Sequence, residues 1–137
     1  MKYAAQTEDG VWTGTIYDEL TTRITAHHAQ YGETLHPVID LTEIDGLWTA
    51  TLPSVAELRE IMSCSRFQGR EVLRQDDLLD AADAAILASG DETLIGAWRD
   101  TATWTRTSQN ITSIGAALGL DDVQIDALFA RAITITA

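Results

Sequence analysis

Cysteine occurs once in this chain, at Cys64, so no intramolecular disulfide framework is possible and packing alone must hold the fold. Proline is nearly as scarce, at Pro37 and Pro53 only, which leaves long stretches free to form regular structure. Soft metal ligands are few: His27, His28, His36 and the one thiol. No zinc-type spacing joins them, and adjacent histidines on a helix point roughly 100° apart, so no metal is expected. No apolar run approaches ~18 residues, and the opening MKYAAQTEDG lacks the apolar centre of a signal peptide. Neither a membrane span nor secretion is expected, which makes the sequon at Asn110-Ile111-Thr112 a chance match. Positive charge is short as well: nine Lys and Arg stand against 21 Asp and Glu, a net charge of −12. Such a surface repels phosphate backbones and anionic lipid, so nucleic acid and membrane are not expected partners.

Catalytic signatures are missing too. There is no G-x-S-x-G elbow, no phosphate-cradling glycine loop and no calcium loop. Cys64 sits between Ser63 and Ser65 near an expected helix start, where the helix dipole would lower its pKa, but no neighbouring base accompanies it. Carboxylates are so abundant that no pair stands out as acid and base. No enzyme activity, cofactor or catalytic residue is expected.

What the chain does have is patterning. With 45% hydrophobic residues in 137, it reads as an α+β protein: a small N-terminal β-hairpin/helix lobe, residues 1–52, then a bundle of four to six short helices, residues 53–137. In the lobe, Lys2–Gln6 and Val11–Tyr17 flank Glu8-Asp9-Gly10, a hairpin signal. Asp18 is read as the cap of a helix with the stripe Leu20, Ile24, His27 and Tyr31, stopped by Gly32. Pro37–Leu41 and Leu47–Leu52 form a second β-prone pair joined through Asp45-Gly46.

Beyond Pro53, Ser54 and Glu57 have capping-box spacing. Ser63-Cys64-Ser65 leaves open one kinked helix or two short ones reaching Gln75. Asp76-Asp77 are read as the next cap, before Leu78, Leu79, Ala82, Ala85 and Ile86. Asp91–Arg106 is read as the organising helix. Leu94, Ile95, Trp98, Thr101, Ala102 and Thr105 form its buried face, and Arg99, Asp100, Thr103 and Arg106 its outer one. Ser108 caps a helix carrying Ile111, Ile114, Gly115 and Leu118, ended by Gly119. Asp121 and Gln124 open the last helix, with Ile125, Leu128, Phe129 and Ala132 inward, and Thr134–Ala137 fray.

Two candidate contact sites emerge. Trp12 and Trp48 make an aromatic patch if both lie on one exposed sheet face, and core if they face the helix. Asp76, Asp80 and Asp83 fall on one flank of a helix and suit a basic partner.

The run Ile114-Gly115-Ala116-Ala117-Leu118-Gly119-Leu120-Asp121-Asp122-Val123-Gln124-Ile125-Asp126-Ala127-Leu128-Phe129, preceded by Trp98 and Trp104, resembles the C-terminal end of small tail-associated proteins of tailed phages and prophages. The resemblance spans roughly residues 66–133. It departs from that pattern at Ser108-Gln109, where the family tends to His-Pro, and at Asp100, where it carries a second aromatic. The resemblance implies a non-enzymatic tail structural protein or tail/fibre assembly protein, in the virion or the bacterial host cytoplasm. Its partners would be other tail or fibre proteins, or copies of itself in a homo-oligomer. The alternative is an acidic cytoplasmic binding module that engages a basic protein through Asp76, Asp80 and Asp83.

Overall fold

The computed structural model describes every residue, Met1–Ala137. The chain is α+β and divides into two compact units, Met1–Leu58 and Arg59–Ala137. The division falls inside a helix that begins two residues after Pro53.

In the N-terminal unit, β1 (Lys2–Gln6) lies between β2 (Trp12–Tyr17) and β3 (Thr34–Val38), antiparallel to both. Ala4 and Ala5 point to opposite faces of this middle strand and both are fully buried, so both faces are covered. One cover is α1 (Thr22–Ala29), fastened where the Tyr17 hydroxyl meets His28 Nε2 at 2.8 Å. The helix does not start at Asp18. Its cap is Thr21, whose hydroxyl accepts the Ile24 N–H, and the buried residue is His28 rather than the expected stripe. Leu20 and Tyr31 are exposed. Starting the helix three residues later rotates the face that meets the sheet.

After β3, the strands β4 (Asp40–Ile44) and β5 (Leu47–Thr51) form a separate hairpin, which adds a strand to the four expected in the lobe. Its turn is Asp45-Gly46 with φ of 52° and 80°, two consecutive left-handed residues as a tight primed turn demands. Trp48 of β5 lies on Gly14 of β2, where a Cβ would stand 2.5 Å from the indole nitrogen. α2 (Val55–Ile61) opens on the Ser54/Glu57 capping box.

The C-terminal unit is helical around a short ribbon. Ser63–Ser65 is a strand, β6, which settles the open choice in favour of two helices. It pairs antiparallel with β7 (Thr103–Thr105), Cys64 opposite Trp104. The organising helix is therefore shorter than expected. α5 (Glu92–Asp100), capped by Asp91, stops at Asp100, and Trp104 comes from a strand. The remaining helices are α3 (Arg66–Gln75), α4 (Leu79–Ala88), α6 (Gln109–Ala117) and α7 (Asp122–Ala132).

Trp98 and Trp104 stack with ring centroids 4.6 Å apart, and Val72, Ile86, Ile111, Ile114, Ile125 and Phe129 complete the core with them. Gly69 of α3 lies directly against the Trp104 ring. A partly open pocket of about 50 Å³ remains among these side chains. Its lining, from Cys64 to Ala132, is apolar.

Asp76 and Asp77 close α3 instead of opening α4. Asp77 takes the left-handed conformation, φ 57°, and its N–H donates to the Arg74 carbonyl while Leu78 N–H donates to Leu73. That is a Schellman end, and Gly119 ends α6 in the same way. The C-terminus is tied down as well: Gln68 donates to the Ile135 carbonyl at 3.0 Å.

Candidate contact surface

Trp12 opens β2, just after the turn that carries Glu8, Asp9 and Gly10. It is half-buried and meets the His36 ring edge-on, centroids 6.0 Å apart. With Gln6, Pro37, Leu52, Pro53 and Leu58 it walls an open groove of about 310 Å³ on the N-terminal unit. Trp48 is placed differently. Its indole is spent on the Gly14 backbone and takes no part in the groove. The two tryptophans therefore do not form one patch: Trp12 faces a groove and Trp48 packs a hairpin onto a strand.

The acidic trio is also dispersed. Asp76 belongs to the end of α3, and its carboxylate accepts from Arg131 at 2.8 Å. Asp83, on α4, takes both terminal nitrogens of Arg70 at 3.1 Å and the Trp98 indole N–H at 2.7 Å. Arg70 in turn lies 5.5 Å over the Trp98 ring. Burial pushes the Asp83 pKa up, but the bonds from Arg70 and Trp98 outweigh it and the net shift is downward. Arg131 holds Asp76 below the ordinary value too. Asp80 alone of the three has no cation bonded to it. Asp76 and Asp83 thus stitch helices together within the unit, the first tying the end of α3 to α7 and the second tying α4 to α3.

Arg106, expected on an outer helix face, is 5% exposed. It follows β7 rather than continuing α5, which turns it toward α7, where it bonds Asp126 at 2.6 Å and Asp122 at 2.8 Å. Arg59 reaches the same Asp126 with two nitrogens. Spacing gave no hint of this network, whose members are up to 67 residues apart.

A second array, equally silent in the sequence, is built on His28. Its Nδ1 meets Glu33 at 2.5 Å while Nε2 meets the Tyr17 hydroxyl. Both ring nitrogens are consumed, so it fastens α1 and the following loop to β2 and leaves no free nitrogen for a ligand.

Cys64 is buried in β6 opposite Trp104, and burial pushes its thiol up to about 11. The expected lowering by a helix dipole does not occur, since a strand and its apolar surroundings intervene between the thiol and solvent. No three His, Cys, Asp or Glu side chains are grouped to hold a metal ion. No helix is long and apolar enough to cross a membrane.

What distinguishes the N-terminal unit is therefore not chemistry but exposure. Its buried apolar side chains are only Ala4, Ala5 and Val38. Six large ones, Val11, Tyr31, Ile44, Leu47, Leu52 and Val55, are each more than half exposed. Ile44 and Leu47 face each other across the tip of the β4–β5 hairpin, at 60% and 70% exposure. Charge is as unbalanced as polarity: Lys2 and Arg23 stand against nine carboxylates, a net −7 of the chain's −12. Compared with known proteins, the chain matches no family model, no curated sequence and no solved structure.

Proposed function

We propose that this chain is a non-enzymatic component of a phage- or prophage-type tail, either a structural protein or a tail/fibre assembly protein, acting through protein–protein contacts. The resemblance over residues 66–133 supplies the system. The observation that carries the mode of action is the apolar imbalance of the N-terminal unit. Three small or medium side chains cannot make a core for 58 residues, while six large apolar groups of the same unit stand more than half exposed, as contact surfaces do. The C-terminal unit, with its stacked tryptophans and cross-helix ion pairs, acts as the rigid body that carries the contact unit. The site of action is the virion or the bacterial host cytoplasm, and the partners are other tail or fibre proteins.

The test is compositional. The full chain, carrying an affinity tag, is produced in a host that makes the particle, and both purified particles and the cytoplasmic fraction are analysed by mass spectrometry. A structural component is found in the particle at fixed stoichiometry. An assembly protein is found only in the cytoplasm, bound to an identified tail or fibre protein. A chain that is in neither place, and monomeric by light scattering, overturns the proposal.

A further inference from the structure

We infer that the groove beside Trp12 binds an extended, proline-containing segment of a partner protein in which an apolar residue is flanked by Lys or Arg. The inference rests on the reading that the N-terminal unit makes the contacts, and it names what that unit recognises. Three observations carry it. The first is shape: the groove holds about 310 Å³, room for one apolar side chain and its flanking backbone, and is walled by an indole, an imidazole and two prolines. Proline-rich segments dock in aromatic-lined grooves of this kind because their extended backbone is already ordered before binding.

The second is what the walls cannot do. Pro37 and Pro53 have no N–H to offer, so a ligand here is not held as an added strand. Side-chain packing against Trp12 and Leu58 must supply the contact instead. The third is charge. Glu8 and Asp9 occupy the exposed turn between Gln6 and Trp12, and exposed Glu57 adjoins Leu58. No cation lines the groove, and the unit has only Lys2 and Arg23 to set against nine carboxylates. Lys2 is at the far end of β1 from Gln6, and Arg23 is on α1. A ligand with flanking Lys or Arg meets uncompensated negative charge, whereas an acidic one is repelled.

The experiment follows the indole N–H of Trp12, identified by its loss in Trp12→Phe, in nitrogen-15 spectra of the full chain. The probe is the blocked pentapeptide Arg-Pro-Leu-Pro-Arg, with Glu-Pro-Leu-Pro-Glu as its control. The resonance should move saturably with the basic peptide, with half-saturation below about 1 mM at low salt, the affinity of a weak peptide contact. Affinity should fall about threefold or more as salt rises from about 50 to about 300 mM. Glu8→Gln with Asp9→Asn, both at exposed turn positions, should weaken binding by a similar factor and leave the circular dichroism spectrum unchanged. The acidic peptide should move nothing. A stationary Trp12 resonance, equal shifts with both peptides, or indifference to the double substitution overturns the inference. Particle composition separates this failure from failure of the tail reading: tail association without peptide binding sinks the groove alone, and the reverse sinks the tail reading alone.

Discussion

Three helical glycines of the C-terminal unit differ in what a methyl group would meet, and this makes alanine substitution a ruler for its packing. In an open helix interior, Gly→Ala gains roughly 0.5–1 kcal/mol, because the alanine backbone loses less freedom on folding. Gly96 is that case: nothing lies within 4 Å of a Cβ there. Gly96→Ala should raise the melting temperature by roughly 3–6 °C for a unit of this size. At Gly115 the Cβ would stand 2.5 Å from Cδ1 of Ile125, the free end of a flexible chain. Moving that methyl costs about as much as the backbone gains, so Gly115→Ala should be nearly neutral. At Gly69 the Cβ would fall inside contact distance of the Trp104 ring. That ring cannot swing away, since Trp98 is stacked on it and Trp104 is pinned in β7 opposite Cys64. Overpacking of this kind costs typically 1–3 kcal/mol, and more where the neighbour is rigid, so Gly69→Ala should be destabilising by about 1–2 kcal/mol net. Far-UV circular dichroism of the full chain, in heat and in urea, reads the order Gly96→Ala above Gly115→Ala above Gly69→Ala. A Gly69→Ala protein at least as stable as the parent would refute the tryptophan stack as the centre of this unit.

The network on Asp126 makes the unit sensitive to acid. Burial pushes the Asp126 pKa up, but bonds from Arg59 and Arg106 overcome it and hold it below the ordinary value. The stabilisation is therefore complete above the ordinary aspartate range of about 3.9 and is lost as pH falls through the lower folded value. Urea midpoints taken from pH 6 down to pH 2 should show a steep fall that Asp126→Asn largely abolishes, at a cost of about 2–4 kcal/mol at pH 7 because Arg106 stays buried without its carboxylate. Cys64, its thiol pushed up to about 11, should resist alkylation by iodoacetamide at pH 8 in the native chain and react at once in denaturant. Trp98→Phe, which keeps the stack but deprives Asp83 of the indole N–H, should cost about 1–2 kcal/mol, and Trp98→Ala about 3–5 kcal/mol, by thermal unfolding.

Signals contained within four or five residues were legible, because local chemistry decides them. Asp45-Gly46 spells its own turn, and Ser54/Glu57 and Asp121/Gln124 form their capping boxes as spaced. Errors arose where two local signals competed. Asp18 and Thr21 can both cap a helix, and the tertiary bond from Tyr17 to His28 favours the later start. Asp76-Asp77 reads equally as a cap or as a helix end, since aspartate both caps and tolerates positive φ. The β6–β7 ribbon was hidden because each strand has three residues and the partner lies some forty residues away. Its one local trace was the β-prone run Thr103-Trp104-Thr105, which the helical period also accommodated. The Arg106 cluster and the trio of Tyr17, His28 and Glu33 left no spacing at all, being assembled from elements that meet only after folding. Of the site, sequence pointed to Trp12 but not to the prolines that wall its groove.

The two units divide their chemistry in a way that bears on function. Six of the seven arginines of the C-terminal unit, all but Arg66, are bonded to carboxylates of the same unit, and twelve of its side chains close on one core, although Phe67, Leu87, Val123 and Ile133 are more than half exposed. The N-terminal unit lacks both kinds of completion: it has almost no cations to pair its acids and almost no core to bury its apolar side chains. Exposed apolar side chains occur in both units, but the missing core and the missing cations belong to the N-terminal one, and nothing in the net charge of −12 requires one half to carry the greater share. Their coincidence in one unit favours a surface completed from outside, with a partner bringing apolar groups and positive charge together. It also separates stability from recognition. Substitutions at Gly69, Trp98 or Asp126 act on contacts made wholly within Arg59–Ala137, whereas those at Glu8, Asp9 or Trp12 act on a groove that no residue of that unit lines. Positions without shared partners add independently, so melting temperature and partner affinity can be altered one at a time.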